Sequence, residues 1–548
     1  MARHSQLSRS VLRRPPLRLA LLLAVVLFTV GVLGVGLVRA AFHSPLATDP
    51  AGGDPAEGDP VPVVAAPAPT SAGRCGTTPV KAPRELRGMW LTTVYNIDFP
   101  SKPGLSEAQV KAEYLRWLDL AVAQNHNAIF VHVRPSGDAF WKSAYAPWSN
   151  WLTGKLDGTD PGWDPMAFMV EQAHARNLEF HAWFNPYRGT QPAPSGAGTD
   201  LAKLAANHPL RAHPDWRIAY PTGKTGRLYF DPGNPEARRF VEDAMLEAVT
   251  KYDIDGVHFD DFFYPYPEKG EDFPDDASYA KHGGGASRAS WRRQNVDTLV
   301  REMHERIAAV KPWVKFGISP FGIWRNGGEG SDTNGLESYS AIYADTRKWV
   351  REGWLDYIVP QLYWTIGFGK ADYAKVLPWW AKTVKGTGVQ LYIGMADYRV
   401  GEDGDWSDPA ELDRQMRLND KYGVQGQVHY SAKMIRENKL GSVTRYRNAH
   451  YATPALQPRM DRLPSAPPAA PRLVAAERDG NGKLRFEAAA GGVSWALYRG
   501  GDLVATGRAG TPVADPSPPS GAAAYCLSAL DRSGNESPLS APLTVAAG

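Results

Sequence analysis

The chain has 548 residues and a formal net charge of +3. No long basic run interrupts its folded part, so nucleic acid is not an expected partner. Its two cysteines, Cys75 and Cys526, have no neighbouring ligand residues at metal spacing, and no metal or other cofactor is expected. Eighteen tryptophans and twenty-three tyrosines form a heavy aromatic load, most of it core and the rest available to line a groove.

Arginines at 3, 9, 13, 14 and 18 precede an uncharged apolar run from Leu19 to Val38. Residues 1–40 therefore read as a signal peptide cut after Ala40, or as an uncut anchor, since about 20 apolar residues span a bilayer. Either way, the remainder is expected to be secreted or held on the outer face of the cytoplasmic membrane. There a disulfide between Cys75 and Cys526 can persist; pairing and two free thiols both stay open. Residues 41–83 are rich in Ala, Pro and Gly without periodicity, as in a disordered spacer. A second Pro-rich break occupies 454–470.

Residues 84–453 alternate strand-like and helix-like segments. The eight apolar strands are Leu86–Val94, Ala128–Arg134, Leu178–Phe184, Gly256–Asp260, Lys315–Ser319, Tyr357–Leu362, Gln390–Met395 and Gly426–His429. Helical patterns cover Glu107–Gln124, Asn234 to Tyr252, Ser287–Val310, Ser340–Glu352, Lys370–Thr383, Asp408–Tyr422 and Lys433–Lys439. Eight strand–helix repeats match a closed (β/α)8 TIM barrel, an α/β fold. An open doubly wound sheet more often carries a Gly-rich phosphate turn after its first strand, and ELRGMWLTTVYN has none. Residues 471–548 differ: short β runs at Leu484–Ala488, Ser494–Tyr498 and Tyr525–Leu530, split by Gly, Pro and Asn turns, predict a small β-sandwich. A monomer is expected.

In a barrel the C-terminal strand ends build the active site. Those ends carry Tyr95, Asn96 and Asp98; His132, Arg134 and Asp138; Asn185, Tyr187 and Arg188; His258, Asp260, Asp261 and Tyr264; Gln361, Tyr363 and Trp364; and Asp397, Tyr398, His429 and Tyr430. Acid supplies hydrolytic chemistry and flat rings grip sugar faces. Strand parity puts His258 and Asp260 on one face, making Asp260 the central carboxylate, with Asp261 opening the following loop. Hydrolysis of a glycosidic bond needs a second carboxyl group. Strand five ends in GISPFGIW without a glutamate, so Asp261, Asp138, Asp98, Asp397 and Glu329 compete for that role, Asp261 and Asp138 first. An arginine near Asp138 is expected to keep its pKa low. Asn96, Asp98, Arg134, Asn185, Tyr187, His258, Tyr264, Gln361, Tyr363 and Trp364 are the candidate substrate-binding groups. Adjacent Asp-Asp can hold a divalent ion, but no HxH or HExxH spacing joins it.

The stretches ELRGMWLTTVYNIDFPS, HVRPSGDAFWKS, HAWFNPYR, YFDPGNPEARRFVEDAMLEAVTKYDIDGVHFDDFFYPYP and DYIVPQLYW together resemble the glycosyl-hydrolase-like family 10 proteins across about 84–451. The resemblance implies an exported or envelope-anchored barrel that hydrolyses glycosidic bonds, with members linked to peptidoglycan strands stripped of peptides. It places the acidic motif at Asp260 and Asp261 and polar positions at Asn96, Asp98, Arg134 and Asp138. The tail YCLSALDRSGNESPLSAPLTV resembles fibronectin type III modules of secreted bacterial hydrolases. A barrel that binds glycan without cutting it is the competing expectation.

Overall fold

The computed structural model describes residues 74–464, 466–480 and 482–547. The expected signal or anchor and the spacer up to residue 73 lie outside them. Among the described residues no helix is long and apolar enough to cross a membrane.

Eight parallel strands follow one another around a ring: β1 (Leu86–Leu91), β2 (Ala128–Arg134), β3 (Glu179–Phe184), β4 (Gly256–Phe259), β5 (Lys315–Ile318), β6 (Tyr357–Ile358), β7 (Gln390–Leu391 and Ile393–Met395) and β8 (Gly426–His429). The seventh strand is broken at Tyr392. Its first half pairs with β6 and its second with β8, while β8 pairs with β1 from Gly426↔Leu86 to His429↔Met89. The ring therefore closes, and no strand keeps a free edge. Strands buried on both faces read as continuous apolar runs, which is why AIFVHVR in β2 is buried throughout.

One principal helix follows each strand: α1 (Glu107–Ala123), α2 (Pro165–Ala175), α3 (Pro235–Lys251), α4 (Arg288–Val310), α5 (Thr346–Glu352), α6 (Tyr373–Val384), α7 (Glu411–Lys421) and α8 (Ser442–His450). Local chemistry sets their starts. Ser106 and Gln109 form a reciprocal capping box on α1, and Asn234 accepts from the N–H groups of Glu236 and Ala237 ahead of α3, with Pro235 in its first turn. Helices α2 and α8 lie outside the expected set, although Asp164 caps α2 ahead of Pro165. The expected helix Ser340–Glu352 is two pieces, because Tyr343 adopts φ 55° and Asp345 caps α5 separately.

The barrel interior is aromatic. Trp90, Phe130, Tyr357 and Tyr392 fill it, with small residues opposite them. A Cβ on Gly317 would sit 2.1 Å from the Tyr357 ring, and one on Gly256 would sit 2.4 Å from the His181 ring. A hydrogen-bonded chain threads this packing. The Trp90 indole, which only donates, points at His258 Nε2 (3.2 Å), so His258 carries its proton on Nδ1, 3.3 Å from the Tyr357 hydroxyl. That hydroxyl donates to His181 Nδ1 (2.9 Å), and His181 Nε2 donates to Glu179 (3.1 Å), whose other oxygen meets Lys315. Burial pushes both histidines down in pKa, so each is neutral inside the barrel.

The C-terminal residues form two antiparallel sheets. One holds Arg472–Arg478, Leu484–Ala489 and Val513–Asp515; the other holds Asp502–Arg508, Ser494–Arg499, Ala523–Leu530 and Leu543–Val545. Phe486, Trp495, Leu497, Tyr525 and Leu527 pack between them as a sandwich. The sandwich meets the barrel at the N-terminal ends of the strands. Met460 packs with Leu86, Ala128, Tyr357, Tyr392 and Val428, Arg532 pairs with Asp253 (2.8 Å), and Arg84 pairs with Glu536 (2.7 Å). Cys75 and Cys526 are bonded, tying the segment before β1 to the sandwich.

Gly317→Ala is expected to cost at least about 2 kcal/mol, since an overpacked barrel interior cannot yield to a methyl group. Urea unfolding followed by tryptophan fluorescence measures it; an unchanged midpoint would mean that the Tyr357 ring moves aside freely.

Candidate active site

Strand β4 carries His258 inward, and the same parity delivers Asp260 to the mouth of the ring. There Asn185, at the end of β3, donates its side-chain N–H to both Asp260 oxygens (3.1 Å each), and the Phe262 N–H donates to one of them (3.0 Å). Asp260 is buried, and burial raises its pKa; the nearby Arg188 guanidinium, the Phe262 N–H and Asn185 pull the other way.

Asp261 begins the loop and bends over the opposite side of the mouth. Its carboxylate accepts from the Tyr266 hydroxyl and lies within electrostatic reach of Tyr363 and Tyr430. Burial, with the charge of Asp260 added, raises its pKa to about 7, against the lowering effect of Tyr266. Two neighbouring carboxylates thus have different company: hydrogen-bond donors and a cation around Asp260, and a phenol and other aromatics around Asp261. Burial raises both, and the donors and cation around Asp260 favour its anion more than the phenol and aromatics around Asp261 do.

A stack of three side chains joins the two. The Arg188 guanidinium lies 3.9 Å over the Phe262 ring, Phe262 stacks on Tyr266 (4.4 Å), and Tyr266 bonds to Asp261. Beside Asp260, Trp183 stacks flat on His132 (3.9 Å, 6°), and burial holds His132 neutral. Among the described residues His132 has no hydrogen-bond partner on either ring nitrogen.

The remaining candidates divide. Gln361 (half-buried, Nε2 to Ser319 O 2.8 Å), Tyr363 and Trp364 line the β6 side, each half-buried. Arg134 is fully buried, donates to Asn185 O (3.3 Å), and has its pKa lowered by burial to about 10. Asp98 is a brace: it accepts from Thr92 N (2.8 Å), Ser431 Oγ (2.7 Å) and Lys433 N (3.0 Å), fastening the loops after β1 and β8 together. Asn96 likewise donates to the carbonyls of Pro100 and Trp151, holding loop to loop. Asp397 pairs with His429 (2.9 Å), and Glu329 is exposed and pairs with Arg347.

Three expectations are corrected. Tyr264 is not an open stacking platform: it is 1% exposed, its hydroxyl accepts from Asn295 (3.1 Å), and Phe273 and Tyr343 pack on it. Tyr187 is fully buried in the core. Asp138 does not have a low pKa; burial raises it and outweighs Ser149, the Ser136 N–H (2.7 Å) and Arg134. Phe262 and Tyr266 were not among the expected site residues, and Arg188 was placed at a strand end without an assigned role. Arg188 follows β3 in HAWFNPYR and Tyr266 lies two residues beyond Tyr264, a parity step that a loop sequence does not disclose.

Residues 85–409 match the family model described as "Glycosyl hydrolase-like 10". The chain is 48% identical over 410 residues to "Glycosyl hydrolase YngK" of Bacillus subtilis (strain 168), covering 73% of this chain and 78% of that protein. It is 38% identical over 373 residues to "Glycosyl hydrolase DigH" of Escherichia coli (strain K12), covering 64% and 84%. Among solved structures, the PgaB (BpsB) glycoside hydrolase domain from Bordetella bronchiseptica aligns at 14% identity and a TM-score of 0.43, over 67% of this chain and 98% of that one.

Asp261 has a folded-state pKa of about 7, above the ordinary carboxylate range. The folded state therefore binds the extra proton, and stability falls as pH rises from about 4 through about 7. Asp261→Asn is expected to stabilise the protein at pH 8, on the order of a few kcal/mol, and much less at pH 4. Urea unfolding at the two pH values checks it.

Proposed function

The chain belongs to the glycosyl hydrolase-like 10 family, and we propose that this glycoside hydrolase uses Asp261 as proton donor and Asp260 as the anion that stabilises or attacks the sugar cation, on a cell-wall glycan. The carrying observation is the pair itself: adjacent buried carboxyl groups, one at about pKa 7 and the other surrounded by Asn185, the Phe262 N–H and Arg188. A general acid works best with a pKa near the operating pH, and a positioned one is worth about 10²–10⁴ in rate. An oxocarbenium-like transition state gains from a fixed anion beside it, and Asp260 cannot swing away while Asn185 holds both its oxygens.

The sugar-binding wall is aromatic and half-buried: Tyr363 and Trp364 on the β6 side, Phe262 and Tyr266 over the acids. Such rings stack on apolar sugar faces while their edges stay wet. Peptidoglycan strands freed of their peptides are the substrate in this reading, supported by the likeness of the barrel motifs to a family linked with that glycan. Export is supported by the Cys75–Cys526 bond, since disulfides persist outside the reducing cytoplasm. A monomer at the outer face of the cytoplasmic membrane, or free of it, completes the proposal.

Incubating the exported chain with peptide-free wall strands and a panel of other glycans is expected to release short saccharides from the wall strands, detected by mass spectrometry. Asp260→Asn is expected to lower that release by at least about 10³-fold. Retained cleavage by the variant would remove Asp260 from the chemistry; binding without cleavage by the unmodified chain would favour a glycan-binding role. Tyr266→Phe removes the hydroxyl that favours the Asp261 anion, so the alkaline limb of kcat/KM against pH is expected to move upward. A downward move would show that another group is the acid.

A further inference from the structure

The β2–β3 side of the mouth carries buried positive charge that no acid pairs with. Arg188 is 5% exposed, and Arg227 is half-buried on the hairpin Arg217–Tyr220/Arg227–Phe230. Among the described residues neither forms an ion pair, and the Nε of each is buried without a hydrogen-bond partner. Arg188 lies opposite Tyr229 of the same hairpin, and both arginines are within electrostatic reach of the Tyr229 and Tyr95 hydroxyls. Asp260 feels Arg188 but does not touch it, and Asn185 and the Phe262 N–H already occupy its oxygens. Arg188 has the Phe262 face (3.9 Å) and a long bond from Nη1 to the Pro135 carbonyl (3.5 Å), but no carboxylate in contact. A buried guanidinium without a contacting acid is costly, so such a group is retained where an acid arrives from outside.

Tyr95 shows where it arrives. Its ring is 46% exposed, yet it is held: φ is 56°, the ring packs on Trp151 (5.1 Å), and its hydroxyl donates to Gln191 (2.9 Å), which donates in turn to Ser136 (2.9 Å). A bulky residue in the left-handed region costs of order 1–3 kcal/mol and persists only when its surroundings impose it. Here they impose an exposed aromatic face beside two guanidinium groups that form no ion pair among the described residues.

We infer that Arg188, Arg227 and Tyr95 form a subsite for a sugar that carries a carboxylate, the ring stacking on the sugar and the guanidinium groups taking the acid. This rests on the glycan reading above and narrows it. In wall strands without peptides the lactyl group ends in a free carboxylate; in peptide-bearing strands the same carbon is an uncharged amide. The subsite thus distinguishes the two by charge, and guanidinium–carboxylate pairing supplies geometry as well as energy.

The test uses the full exported chain carrying Asp260→Asn, which keeps the probe intact, with calorimetric titration of two probes. One is a tetrasaccharide of alternating N-acetylglucosamine and N-acetylmuramic acid with free lactyl carboxylates; the other is the same molecule with those groups amidated. The acid is expected to bind at least about 10-fold more tightly, in line with charged hydrogen bonds, and to lose that advantage as salt is raised. Arg227→Gln, at a half-exposed position that tolerates change, is expected to bring the acid down to the affinity of the amide. Equal binding of acid and amide, or an Arg227→Gln effect that falls alike on both, overturns the subsite and leaves the glycan reading intact. If neither probe nor unsubstituted N-acetylglucosamine tetramer binds, the glycan reading fails and the subsite with it.

Discussion

The barrel closes around aromatic rings that fit only where neighbouring strands offer glycine. Tyr357 crosses the space that a side chain at 317 would need, and His181 does the same at 256. Interiors packed at crystal-like density transmit such constraints instead of absorbing them. The orientation of β4 follows: with Gly256 against His181 and His258 wedged among Trp90, Tyr357 and Ser319, the strand has one rotation available, and that rotation puts Asp260 on the rim.

The hydrogen-bonded chain from Trp90 through His258, Tyr357 and His181 to Glu179 runs in a single direction, each member donating to the next. A satisfied chain of neutral groups, ending on the Glu179–Lys315 pair where the strands begin, is an inexpensive way to place polar atoms in a core. It also leaves the floor beneath Asp260 uncharged, so the local charge on the acids comes from their own neighbours at the rim: Arg188 for Asp260, and Asp260 itself for Asp261. The sandwich contributes nothing there. Its contacts through Arg532 and Glu536 are at the other end of the ring, where the strands begin, so it does not cover the rim.

The inner strands, the alternating helices and the acidic end of β4 were all legible, because a strand buried on both faces must be apolar and side-chain parity along it is two. Asp260 follows from that parity alone. The loops were less legible. Tyr264 and Tyr266 look equivalent in DDFFYPYP, yet one is sealed against Asn295 and the other bonds Asp261. Asp98 and Asn96 look like ligands at a strand end but spend their hydrogen bonds holding loops. Asp138 shows the same limit in electrostatics: an arginine close by in sequence implied a low pKa, and complete burial reversed it.

By itself the sequence determined the barrel, the C-terminal β-sandwich and the carboxylate at the centre of the rim, since each depends on patterns that repeat along a single chain. Tertiary structure alone decided which loop side chains meet: Arg188 from one strand end with Phe262 and Tyr266 from the next, and Cys75 with Cys526 across 451 residues. The reason is physical. Periodicity records which face of an element is buried, whereas a loop has no period, and its partners are set by the closure of the ring.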